Sequence, residues 1–356
     1  MTDEGAVSRI LDANFNRARE ALRVIEDYAR YALDYAPGAR ALKALRHELQ
    51  AALEPLARTG RFTVWRGADR DVGREDKLPA EALRPDASSV AAASFSRLQQ
   101  ALRSLEEYAK TVDSAMAAAV EALRYRSYEV EQQLMARARP VARLAACRLM
   151  VLVTRQFAKD RPHAEVAQAA LSGGADMIQL REKQMGDGEL LRIARQLREV
   201  TDRFGAMLII NDRPDVAALA NADGVHLGRG DLPAADARRI MGPGKAVGSS
   251  THNPDEAQAA IEGGADYLAL GQVFVSPTKD TGKLAGLEYV RWAAGNVSLP
   301  TLAIGGITAA NLTGVIAAGA HGIAVCSAVI GADDIEAAAR TIREKLDQAC
   351  PTSKGS

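Results

Sequence analysis

"SGGADMIQLREK", residues 172–183, holds the plan of the larger part of the chain. Two glycines close a helix, an Asp follows, and Met-Ile-Gln-Leu reads as a buried strand. The strand ends in Arg181, Glu182 and Lys183 with no turn residue between. The same joint recurs as "NADGVHLG" (221–228), "EGGADYLAL" (262–270) and "AGAHGIAV" (318–325). Each sets Gly or another small residue at a helix C-cap, then a polar residue, then a strand.

Outward from these joints the rhythm repeats. Strands are expected at 149–154, 176–181, 206–210, 223–227, 245–249, 266–272, 300–304 and 321–325. Helices are expected near 163–173, 188–203, 214–220, 233–241, 254–263, 287–295, 308–318 and 334–347. Strict alternation implies a parallel sheet, and eight units in roughly 200 residues imply a closed (β/α)8 TIM barrel. A doubly wound open sheet would have fewer strands and usually a Gly-rich fingerprint after the first; "LVTRQF" (152–157) has none.

Upstream of about residue 145 the pattern is helical and repeated. "ANFNRAREALRVIEDYAR" (13–30) matches "ASFSRLQQALRSLEEYAK" (93–110) at nine of eighteen positions. Phe15, Ala18, Leu22, Ile25 and Ala29 form one apolar stripe, and Phe95, Leu98, Leu102, Leu105 and Ala109 form its copy. A second helix follows each copy, sharing Ala-Leu-Arg at 44–46 and 122–124. Two helical hairpins with pseudo-twofold symmetry are expected. The Arg23/Glu26 and Arg103/Glu106 pairs in the repeat read as helix-surface ion pairs, with a shared pocket as the alternative. The insert "GRFTVWRGADRDVGRE" (60–75) reads as a connector or a functional loop. The domain expectation is an all-α bundle over 1–136 (copies at 13–53 and 93–134), a linker at 137–147, the barrel at 148–347 and a tail at 348–356.

Composition excludes little. The 356 residues suit two domains, and 47% apolar with 25% charged residues is ordinary for a globular chain. A formal net charge of zero gives no electrostatic case for a nucleic-acid partner. Three cysteines without a CxxC pair suit a reducing compartment. The N-terminus lacks an apolar signal core and no run approaches membrane-spanning length, so a cytoplasmic protein without a membrane partner is expected.

Barrel active sites lie at the carboxyl ends of the strands. There the chain places Arg181 and Lys183; Asn211, Asp212 and Arg213; Asp231; Ser249 to His252; Ser276, Thr278 and Lys279; Gly305 and Gly306; and Cys326 and Ser327. Lys and Arg suit phosphate oxygens. Asp212 and Asp231, at consecutive strand ends, could share one Mg2+ ion. Gly306 would admit a second anion near the ends of the last two strands, where such barrels commonly cradle phosphate. The residues thus point to a metal-bound diphosphate and a monophosphate. His226 reads as interior packing rather than a metal ligand, and His252 as a rim residue within reach of substrate.

With these motifs in view, residues 148–347 resemble the thiamine-phosphate synthase family: "QLREK", "NDRPDVA", "ADGVHLGRGD", "GSSTH", "GQVFVSPTK" and "IGGI" carry the likeness. The resemblance implies that hydroxymethylpyrimidine diphosphate is joined to thiazole phosphate with release of diphosphate. It implies that Gln179, Leu180, Arg181, Glu182, Lys183, Asn211, Ser250 and Lys279 hold the pyrimidine diphosphate. It assigns Mg2+ to Asp212 and Asp231, and the thiazole phosphate to Ser276, Pro277, Thr278, Gly306, Cys326 and Ser327. A dissociative mechanism follows, in which Arg181, Lys183 and Lys279 stabilise the leaving group. Arg229, Ser276 and Cys326 stand where the family usually has Gln, Thr and an aliphatic residue. The bundle resembles an extension fused to some family members and associated with pyrimidine-phosphate kinase activity. A structural role or homo-oligomerisation is the competing expectation. The alternatives for the barrel are a thiamine-phosphate-binding regulator and a thiazole tautomerase-like protein without transferase activity.

Overall fold

The computed structural model describes residues 3–33, 35–58, 84, 86–276 and 284–349. The insert at 60–75 lies outside them. Two compact units divide at residue 138.

In the first unit, α1 (Asp3–Asp27) runs into a π-helical turn (Tyr28–Ala32) and is followed by α2 (Ala36–Arg58). Then come α3 (Ala87–Ala109) and α4 (Ser114–Ala146). Asp86 caps α3: its Oδ1 accepts the Ser89 N–H at 2.7 Å, while Ser89 Oγ accepts the Asp86 N–H at 3.2 Å. All ten stripe residues of the repeat are buried, and α1 packs on α3 along them. The shared Ala-Leu-Arg supplies a cross-helix cation in each hairpin. Arg124 Nε donates to the buried Glu106 at 2.8 Å, and Arg46 approaches Glu26 at 3.3 Å. The expected surface pair Arg103–Glu106 forms at 2.7 Å, but its carboxylate is only 2% exposed and belongs to this inter-helix contact.

The stretch 137–147, expected as a linker, is helical through Ala146. Arg, Ala and Leu sustain the helix, and one proline, Pro140, removes only one backbone donor.

The second unit is a closed parallel barrel with strands in sequence order. They are β1 (Leu149–Val153), β2 (Met177–Leu180), β3 (Met207–Asn211), β4 (Gly224–Leu227), β5 (Ala246–Thr251), β6 (Tyr267–Gly271), β7 (Thr301–Ile304) and β8 (Gly322–Val325). A helix follows each strand, and the short helix Ser327–Ile330 precedes the last one. Nearly every strand residue is buried, as a sheet covered by helices requires. Alternate residues divide between two cores. Val151, Ile178, Leu208 and Val225 pack outward against helices, while Met150, Met177, Met207, Ile209 and Tyr267 fill the interior with Leu144 and Cys147 from the preceding segment.

The polar residue of the repeated joint now has a purpose. Asp176 accepts the N–H groups of Arg148 and Leu149, Asp223 that of Leu208, and Asp266 that of Val247, at 2.7–2.9 Å. Arg343, Arg198 and Arg238 neutralise these carboxylates in turn. Each Asp pins the start of the preceding strand. No helix among the described residues is long and apolar enough to cross a membrane.

Candidate functional site

The carboxyl ends of the strands open onto a cavity of about 380 Å³. The pleat decides which side chains reach it, since successive residues of a strand point to opposite faces. Gln179, Arg181 and Lys183 line it. Leu180 points into the outer core at 1% exposure. Glu182 is bound by His163 Nε2 at 2.7 Å and accepts the Arg155 N–H at 2.6 Å. The side chains of Leu180 and Glu182 therefore stand away from the cavity, contrary to the continuous binding stretch expected over 179–183. Burial alone would raise the Glu182 carboxyl, but His163 and the Arg155 amide hold it below the usual carboxylate range. Its physical effect is to fix the backbone between Arg181 and Lys183.

Around the mouth, the Arg181 backbone N–H donates to Val153 O at 3.0 Å, while its guanidinium makes no hydrogen bond or ion pair among the described residues. Lys183 Nζ is paired with Asp212 Oδ2. Asp212 sits where the chain leaves β3, at φ 62°, a left-handed conformation that Asp tolerates better than most residues. Its N–H donates to His226 O at 2.8 Å. The Asp212 and Asp231 carboxyls share a hydrogen bond. Burial works against ionisation of both; the bonds from Asp231 and Lys183 bring Asp212 below its ordinary value, while burial and the Asp212 charge push Asp231 up. Two carboxylates this close need a proton or a cation between them. Asn211 adds an amide whose Nδ2 is buried in the wall with no partner among the described residues. A buried donor left so is costly unless a ligand meets it.

Deeper in, His226 contacts Ser250 Oγ through Nε2 and Tyr267 Oη through Nδ1, each at 3.0 Å. At the rim, His252 Nδ1 and backbone N–H both meet Glu256 Oε2, at 2.7 and 2.9 Å. Across the mouth, Ser276, Gly306, Cys326 and Ser327 line the opposite wall. Gly306 has φ 64°, and a Cβ there would lie 2.4 Å from Val275 O, so only glycine lets the loop after β7 lie against the loop after β6. Pro277, Thr278 and Lys279 lie outside the described residues.

Sequence reasoning placed His226 in the interior but missed that it lines the cavity; it also missed Gln272 and Thr308. The inward parity of residues 224, 226 and 228 is a signal that could have found His226. Gln272 and Thr308 come from loops whose paths follow no periodicity.

The Asp212–Asp231 pair fits a divalent cation. The two carboxylates would be the protein's share of its ligands. That matches Mg2+, which commonly completes its shell with phosphate and water.

A parallel barrel that gathers a guanidinium without a partner among the described residues, a lysine and a carboxylate pair at one mouth is suited to an enzyme handling phosphorylated substrates. A model of the family described as "Thiamine monophosphate synthase" matches residues 149–329, and the "ThiD2 family" model matches 9–133. A thiamine-phosphate synthase of Gloeobacter violaceus is 43% identical over 94% of this chain and 95% of its own. One of Synechocystis is 42% identical, over 91% and 92%. The solved thiamine phosphate pyrophosphorylase of Pyrococcus furiosus is 36% identical, with TM-score 0.55, covering 59% of this chain and 99% of its own. The chain belongs to the thiamine-phosphate synthase family and is an enzyme that forms thiamine phosphate.

Proposed function

We propose that the reaction proceeds by dissociative departure of diphosphate from hydroxymethylpyrimidine diphosphate, followed by capture of the pyrimidine cation by the nitrogen of thiazole phosphate. The observation that carries this reading is the convergence of the Arg181 guanidinium, Lys183, the Asn211 amide and the Asp212–Asp231 pair on one cavity. These groups are suited to charge that develops on a leaving group rather than to supplying a nucleophile.

Asp212 and Asp231 would hold Mg2+, which when bound supplies Lewis-acid stabilisation of the diphosphate. Arg181 and Lys183 bind the diphosphate oxygens and take up charge as the carbon–oxygen bond breaks, with Lys279 assigned to the same task from the sequence. Gln179, Asn211 and Ser250 orient the pyrimidine diphosphate. Gly306, Cys326 and Ser327, with Ser276 to Thr278, hold the thiazole phosphate so that its ring nitrogen faces the cationic carbon. An electron-rich aminopyrimidine stabilises that cation itself. For the bundle, we assign a role in self-association, supported by the exposed Tyr31, Tyr125 and Tyr128.

The test is a pair of measurements on the full chain with Mg2+ and both substrates. An electron-withdrawing group in place of the pyrimidine 2-methyl should slow single-turnover chemistry far more than it weakens binding. Asp212→Asn should lower kcat by about 100-fold or more with the fold intact. Equal rates for both pyrimidines would overturn the dissociative step. Near-normal turnover of the variant would overturn the carboxylate assignment.

A further inference from the structure

Three polar groups of the cavity are joined in a hydrogen-bonded chain. Tyr267 is 0% exposed, His226 5%, and Ser250 is half-buried in the cavity wall. Tyr267 Oη meets His226 Nδ1, and His226 Nε2 meets Ser250 Oγ, each at 3.0 Å. The ring centroids of Tyr267 and His226 lie 5.5 Å apart, with the planes tilted by 35°. Room for the phenol is provided by Gly248, where a Cβ would fall 2.1 Å from Tyr267 Cζ.

Burial pushes the Tyr267 phenol up, so it keeps its hydrogen. That hydrogen needs an acceptor. Among the described residues, His226 Nδ1 is the partner its hydroxyl has. If Tyr267 donates to Nδ1, the neutral ring carries its hydrogen on Nε2 and donates to Ser250 Oγ. The serine oxygen is then engaged as an acceptor, and its own hydrogen is left for the cavity. In the opposite arrangement Ser250 donates to Nε2, Nδ1–H donates to Tyr267, and a buried phenol hydrogen has no acceptor, which is unfavourable.

We propose that Tyr267 is a positioning residue of the reaction: through the His226 tautomer it presents the Ser250 hydroxyl to the pyrimidine diphosphate as a donor. The pyrimidine diphosphate would meet it with an acceptor, a ring nitrogen or a diphosphate oxygen. The kinetic part rests on the assignment of Ser250 to that substrate; the tautomer does not.

Two readouts keep those parts separable. Proton–nitrogen correlation NMR of the full chain, isotope-labelled at its five histidines, reports the His226 tautomer, with His226→Asn to assign the resonance. The expected result is hydrogen on Nε2 in the native protein and loss of that fixed state in Tyr267→Phe. Hydrogen on Nδ1 in the native protein overturns the proposal without reference to any variant. In steady-state kinetics, Tyr267→Phe should lower kcat/KM for the pyrimidine diphosphate by about 10-fold. Its KM for thiazole phosphate should stay within about twofold of native. In a Ser250→Ala background the same substitution should change kcat/KM by less than about twofold, because the two act in series. Additive losses would reduce Tyr267 to a structural role. A Ser250→Ala variant with native kinetics would overturn the substrate contact even with the tautomer as expected.

Discussion

Arg181 is the residue on which the electrostatics of the mouth turn. Lys183 is neutralised by Asp212, whereas Arg181 has no counter-charge among the described residues and lines the cavity. A guanidinium so placed is ready for a phosphate, and its two-pronged geometry is not reproduced by an ammonium. Arg181→Ala is expected to raise KM for the pyrimidine diphosphate by about 10- to 100-fold, the range for losing a charged hydrogen bond. Arg181→Lys should recover only part of that. Steady-state kinetics with thiazole phosphate saturating checks both. Its neighbour Glu182 is the contrasting lesson: equally charged in the sequence, it is turned outward by the pleat and spent on His163.

At the scale of elements, the Asp at three of the four repeated joints ties one strand to the next. Asp223 accepts the Leu208 N–H and is paired with Arg198 at 2.6 Å and Arg143 at 2.5 Å. Burial alone would raise its carboxyl, but Arg198 and the Leu208 amide hold it below the usual range. A lowered native value means stability that is complete above the unfolded value of about 4 and is lost as pH falls through the native one. Asp223→Asn should therefore destabilise the barrel by about 2 kcal/mol at neutral pH, and the gap from native should close as the buffer is taken below about pH 4. Thermal unfolding followed across that range measures it; a gap unchanged by acid would mean the charge is immaterial.

For the whole molecule, the question is how far chemistry depends on the bundle. All site side chains identified here come from the second unit, residues 139–356. The Pyrococcus furiosus structure matches this chain over 99% of its own length but only 59% of this one. A barrel of this family thus exists without a counterpart to the bundle. Residues 139–356 expressed alone should retain kcat/KM within about threefold of the full chain, as expected of a domain with its own core. The cut must keep Leu144 and Cys147, which complete the interior core below Met150 and Met207. Inactivity of a folded 139–356 would show that the bundle takes part in the coupling step.

Local patterning was enough to write the alternation of eight strands and helices, the paired helical stripes and the polar residues at the strand ends. These depend on periodicity, capping and turn chemistry, all carried by residues close in the chain. The reach of a side chain is another matter. Whether Leu180 or Gln179 faces the cavity depends on strand phase. Whether Asp212 meets Asp231, or Tyr267 reaches from β6 to His226 on β4, depends on inter-strand register and on glycines such as Gly248 that clear the way. Only closure of the barrel fixes those relations, because it joins residues tens of positions apart through a pleat and a tilt that no single segment contains.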